Sequence, residues 1–168
     1  MAEAFAPLLV RDEALLSQVA AMLRAPAWPV RQGAAWALIA MPGGPPAHLL
    51  PTLYGLLEDR RGEEGWPARL AVCALLLNDR DAALSQRAVA VAVEALDYAT
   101  QPWYHLPDTG PLVRQQAAQV LGQLEPLYRN EVIFARLTCV LHEDSDPKVR
   151  DAAYGALLRL AAAPEERA

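Results

Sequence analysis

Pro147-Lys148-Val149-Arg150-Asp151-Ala152-Ala153-Tyr154-Gly155-Ala156-Leu157 opens on a proline, places an arginine three residues later and continues in small and apolar residues. Proline is well suited to the first turn of a helix, where the amides lack intrahelical acceptors and the ring already supplies a helical φ. The pattern recurs upstream in Pro111-Leu112-Val113-Arg114-Gln115-Gln116-Ala117-Ala118-Gln119-Val120-Leu121 and, with the proline two rather than three places before the arginine, in Trp66-Pro67-Ala68-Arg69-Leu70-Ala71-Val72-Cys73-Ala74-Leu75-Leu76 and in Trp28-Pro29-Val30-Arg31-Gln32-Gly33-Ala34-Ala35-Trp36-Ala37-Leu38. The four arginines lie 38, 45 and 36 residues apart, close to the roughly 40 to 47 residues of a two-helix repeat. Small residues two and three places after each arginine permit close helix approach, with Gln116 an exception. Leu38, Leu76, Leu121 and Leu157, seven places after it, supply large core side chains.

Each of these helices is preceded by an amphipathic stretch: Asp12 to Arg24, Ala47 to Asp59, Ala82 to Ala99 and Asn130 to His142. In the last, Val132, Ile133, Leu137, Val140 and Leu141 recur at helical spacing and mark one apolar face. Asp146 and Asp12 stand where a helix N-cap is expected. The chain therefore reads as an all-α domain over residues 1–168, with repeats at about 12–41, 46–79, 82–124 and 130–163.

Its 168 residues suffice for one domain. The apolar fraction of 54% is high, but alanine contributes much of it, and no run reaches the length of a membrane span. A net charge of −5, with no Lys/Arg-rich run, argues against a nucleic-acid backbone as the main partner, because phosphate neutralisation needs a basic stripe. Cys73 and Cys139 are too few and too isolated for a disulfide framework or a zinc site. Met1 to Val10 lacks the basic start and long apolar core of a secretory signal. A soluble, cytoplasmic protein without metal or cofactor is the expectation.

The segment Leu141-His142-Glu143-Asp144-Ser145-Asp146-Pro147-Lys148-Val149-Arg150-Asp151-Ala152-Ala153 resembles a HEAT repeat nearly position for position. The third repeat resembles it well and the first two less closely. The resemblance implies a right-handed α-α superhelix of about four antiparallel helix pairs, a HEAT-like solenoid akin to the armadillo type. It also implies that a turn aspartate bonds the helix arginine, which makes Arg31, Arg69, Arg114 and Arg150 structural and pairs Asp144 or Asp146 with Arg150. Asp108 with Arg114 and Asp59 with Arg69 are looser candidates, and the first repeat offers no acid to Arg31.

In such solenoids the second helices line the concave side. Helical geometry assigns residues one, four, five, eight and nine places after each arginine to the face turned from the paired helix. In the third repeat these are Gln115, Ala118, Gln119, Gly122 and Gln123, an ordinary solvated surface. In the first two they include Trp36, Ile39, Leu70, Cys73 and Leu77, an expected apolar patch for a partner protein; cover by Met1 to Val10 or by a self-dimer is the competing expectation. The long turn from Asp97 to Gly110 carries Trp103 and Tyr104 as either a second anchor or a cover for adjacent repeats. Trp28 and Trp66, three places before their arginines, read as a stacked ridge. The sparsely charged end from Ala152 to Ala163 leaves open a homodimer or a fragment of a larger solenoid protein.

Catalytic signatures are missing from the sequence: there is no Gly-rich phosphate loop, nucleophile elbow or paired-carboxylate constellation. His142-Glu143 is a single pair in a turn, unlike the recurring His-Glu pairs of HEAT-like di-iron hydroxylases. The expectation is a protein-protein interaction scaffold that binds a partner through its concave second-helix face and inter-helix loops, without catalysis of its own. The alternative is a HEAT-like enzyme or enzyme subunit, of phycobilin-lyase or DNA-glycosylase type.

Overall fold

The computed structural model describes residues 13–41, 44–58, 65–99 and 110–162. Among them the regular structure is helical, with no strand. Eight α-helices follow one another: α1 (Glu13–Met22), α2 (Trp28–Ile39), α3 (Leu50–Leu57), α4 (Trp66–Leu76), α5 (Ala82–Leu96), α6 (Gly110–Leu121), α7 (Glu131–Glu143) and α8 (Pro147–Ala161). Short 3-10 turns at Ala47–Leu49 and Pro126–Tyr128 precede α3 and α7.

Helix starts follow the sequence signals. Pro29 and Pro147 occupy the first turns of α2 and α8. Asp146 caps α8 by accepting from the Lys148 and Val149 amides, Asp81 does the same for α5 from Ala83 and Leu84, and Asn130 caps α7 through the Ile133 amide. Asp12, the other expected cap, lies outside the described residues.

The chain divides into two compact units, Met1–Leu76 and Leu77–Ala168, with the boundary at the end of the second helix pair. In the first unit α1 packs on α2, α3 on α4, and the two second helices α2 and α4 pack most extensively on each other. In the second unit α5 packs on α6 and α7 on α8, while α6 packs along α8 and α5 contacts α7. Each pair is thus an α-hairpin, and within each unit like helices lie beside like.

The repeat positions explain the core. Ala34, Val72, Ala117 and Ala153, three places after the arginines, are all buried, and Leu38, Leu76 and Leu121, at the seventh place, are fully so. Burying a leucine contributes about 2 kcal/mol, so this row supplies much of the cohesion within each hairpin. Leu157, at the seventh place of the last helix, is partly accessible.

Candidate functional site

The four repeat arginines share one task. Arg31 donates from Nη1 to the carbonyls of Ala25 (2.8 Å) and Pro26 (2.6 Å), and Arg150 donates from Nη1 to those of Asp144 (2.8 Å) and Ser145 (3.1 Å). The sequence offsets, six and five residues back, are identical. Arg69 reaches the Leu57 carbonyl from Nε (3.0 Å) and Arg114 the Tyr98 carbonyl from Nη1 (2.9 Å); the longer turns move these acceptors further back in sequence. Every arginine therefore meets a carbonyl at or just past the C-terminal end of its own first helix, where backbone acceptors lack intrahelical donors and the helix dipole favours a cation.

The expected pairing of Arg150 with Asp144 or Asp146 is corrected by this geometry. The Asp144 carboxylate faces the preceding arginine, taking Arg114 Nε at 2.6 Å and Nη2 at 3.1 Å in a two-toothed ion pair, and Arg150 takes the Asp144 backbone instead. The turn constrains it, because Asp144 also accepts the Asp146 amide at 2.9 Å. Burial works against the charged form of Asp144. The Arg114 and Asp146 hydrogen bonds, with the charges of Arg114 and Arg150, outweigh it and hold the carboxyl below its ordinary range. Arg31, lacking an acid, bonds carbonyls alone through Nη1, and its buried Nε has no hydrogen-bond partner. Asp59 and Asp108 lie outside the described residues. Arg69 is buried with its guanidinium 4.1 Å from the ring centre of Trp66, itself buried, so Trp66 is a core residue.

The expected apolar patch is also corrected. Trp36 is 44% exposed and Ile39 half-buried, but Leu70, Cys73 and Leu77 are buried. α4 is packed by both α2 and α3 and has little free surface. Leu77 lies under the turn into α5, where the Ser85 hydroxyl donates to its carbonyl at 2.5 Å. Trp103 and Tyr104 lie outside the described residues.

What separates these positions is a single 100° helical step. Residues four places after the arginine, Ala35, Cys73 and Ala118, are buried, whereas those five places after it, Trp36, Ala74, Gln119 and Gly155, all retain accessible surface. In the first three second helices the fourth-place row is covered while the fifth-place row keeps open surface. Tyr154, at the fourth place of α8, is 55% exposed, as is Leu158 at 54%. The close approach of α6 to α8 is visible at Gly122, where an added Cβ would lie 2.9 Å from the Ala156 Cα.

Along the fifth-place row of the second unit, a cleft of about 340 Å3 runs between α6 and α8. Gln115 and Gln119 form one wall, Lys148, Asp151 and Arg159 the other, with Gly155 also lining it. From sequence, Gln115 and Gln119 read as plain surface, while the first, fifth and ninth places after Arg114 and Arg150 taken together pick out most of the cleft, Asp151 and Arg159 included. A second hollow, of about 600 Å3, lies on the first-helix side between α5 and α7, where Val89, Val93 and the exposed Val132 and Leu127 make it more apolar.

Two further facts bear on chemistry. Cys139 is a free thiol raised above its usual pKa, chiefly by its hydrogen bond to Glu143, the reverse of what a nucleophilic thiol needs. Among the described residues no group of three His, Cys, Asp or Glu side chains could hold a metal ion, and no helix is long and apolar enough to cross a membrane.

Comparison with known proteins finds no family model that matches the chain, and no similar curated protein or solved structure.

Proposed function

We propose that the chain is a HEAT-type solenoid, wound as a right-handed superhelix, that serves as a scaffold and binds another protein through the solvent-facing row of its second helices. Four hairpins with an arginine at one matching station, and like helices packed side by side within each unit, support the architecture. The observation that carries the function is that this row holds recognition-type side chains in the open: Trp36 in the first unit, and the amides and charges of the α6/α8 cleft in the second. Tryptophan is a favoured interface anchor. The carboxylate of the cleft, Asp151, is exposed, which favours recognition over acid–base chemistry. Cys73 and Cys139 are both free, in keeping with a reducing, cytoplasmic setting.

The test is quantitative capture from native extract with wild type, Trp36→Ala, Trp36→Asp and the first-helix-side control Leu127→Asp, each checked for folding by circular dichroism. The proposal expects both Trp36 variants to fold and to lose the captured protein, and Leu127→Asp to keep it. Capture insensitive to Trp36 but lost in Leu127→Asp would move the binding surface to the first helices and overturn the proposal.

A further inference from the structure

On each flank of the second helices, one helix breaks the pattern of burial. The fourth place after the repeat arginine is buried at Ala35, Cys73 and Ala118 but open at Tyr154, and the eighth is buried or half-buried at Ile39, Leu77 and Gly122 but open at Leu158. The opposite flank carries the reverse exception. There the place before the arginine is buried at Ala68, Val113 and Val149 but open at Val30, and the second place after it is buried or half-buried at Ala71, Gln116 and Ala152 but exposed at Gly33. Trp36 and Leu112, the other exposed large apolar residues of the second helices, stand at places that keep surface in every repeat. The exceptions therefore belong to the last second helix, α8, on one flank and to the first, α2, on the other.

These flanks are where second helix packs on second helix, α2 on α4 and α6 on α8. α6 and α8 run side by side in the same direction: Arg114 near the start of α6 reaches Asp144 just before α8, and Gly122 after its end meets Ala156, whose Cα would lie 2.9 Å from an added Cβ. In repeat terms the eighth place of one helix sits on the sixth place of the next, so one turn earlier the fourth sits on the second. Among the described residues α8 has no following second helix and α2 no preceding one.

We infer that the α8 flank of one molecule packs on the α2 flank of a second copy, head to tail, continuing across the molecular boundary the packing found inside each unit. That register sets Tyr154 over Gly33 of the partner subunit and Leu158 over Ala37 of the partner subunit. The sizes are complementary, since a Cβ at Gly33 would meet nothing within 4 Å and Gly33 leaves room for a ring. Packing α8 on a second α8 would instead set Tyr154 and Leu158 against each other. Both halves of the junction thus stand on one chain, in register and matched in bulk, which selects a second copy as the occupant. No acid joins the contact, because Ala25 stands six places before Arg31 where Asp144 stands before Arg150, so the junction is apolar. The two surfaces differ, so each added copy leaves one of each open until a ring closes. Trp36 lies outside the paired rows, and the inference goes beyond the scaffold reading, sharing with it only the repeat packing.

Sedimentation velocity of the full chain from micromolar to millimolar concentration is the test. It includes Tyr154→Glu and Gly33→Glu, both at exposed helical positions that suit glutamate, each checked for folding by circular dichroism. Wild type should sediment faster as concentration rises, and raising salt should not weaken the association. Each variant alone should associate at least about tenfold more weakly. Their equimolar mixture should form a one-to-one pair that grows no further, since each supplies the intact flank that the other lacks. Leu158→Glu and Val30→Glu, run in parallel, should pair in the same way and serve if either first variant does not fold. Wild type that stays monomeric, a folded Gly33→Glu that self-associates like wild type as α8-on-α8 packing would allow, or folded variants that do not pair on mixing would overturn the inference. Trp36→Asp should self-associate like wild type, so this inference and the scaffold reading stand or fall separately.

Discussion

In the first unit the repeat arginines turn inward: Arg31 and Arg69 are buried, one on carbonyls of its own turn and the other on a carbonyl and a tryptophan ring. In the second unit Arg114 adds a two-toothed ion pair that ties the α7–α8 turn to α6, and the outward row is polar where the first unit shows Trp36. The conserved geometry is the arginine-to-carbonyl contact, since Arg31 keeps it with no acid in its turn. The acid is an addition that couples one hairpin to the next, and it gives the second unit a contact that is lost in acid.

Among substitutions at the repeat arginines, their partners and the open row, the largest effect should come from removing that addition. Asp144→Ala leaves Arg114 with a partly buried, half-satisfied guanidinium, and urea denaturation should record a loss of about 3 kcal/mol. The same pair gives the pH dependence. Because the folded-state pKa of Asp144 lies below its ordinary value of 3.8, its contribution is complete above that value and is lost as pH falls further through the folded pKa. Hydrogen exchange on acidification should show α6 and the α7–α8 turn losing protection in wild type more than in Asp144→Ala, whereas the Arg31 contacts, made to carbonyls, should not titrate.

Gly122→Ala comes next, at about 2 kcal/mol. The Arg159 side chain near the new methyl can swing away, but the Ala156 backbone cannot. The comparison between units is sharpened by Arg31→Ala against Arg150→Ala: both lose two carbonyl contacts at the same offsets, but Arg31 is buried and Arg150 partly exposed. Losses of about 2 and about 1 kcal/mol are expected, and a reversed order would break the assignment of the arginines to one shared task. Smallest is Trp36→Gln, about 0.5 kcal/mol in stability, since the ring is half in solvent and its proposed role lies in binding.

The helices and their pairing are legible because arginine and leucine recur at a fixed offset with a proline two or three places before the arginine, and because Asp146 carries a recognisable capping signal. Two things are not. Trp36 and Ala35 differ by one helical step, and an alanine-rich helix gives no contrast to tell a solvent row from a row packed on a neighbour, so the buried Leu70 and Cys73 read from sequence as surface. The partner of Asp144 was hidden because local spacing favours Arg150, six residues away in sequence, over Arg114, thirty residues away but adjacent across the α6 and α8 contact.

The account stands on second helices packed side by side with one row covered and the next row open. Ala118→Asp and Gln119→Asp, neighbours in sequence, test it in one urea-denaturation experiment. The account predicts that Ala118→Asp, which forces a carboxylate between α6 and α8, costs about 4 kcal/mol or unfolds the second unit, while Gln119→Asp stays within about 1 kcal/mol of wild type. Equal losses, or a greater loss from Gln119→Asp, would contradict it.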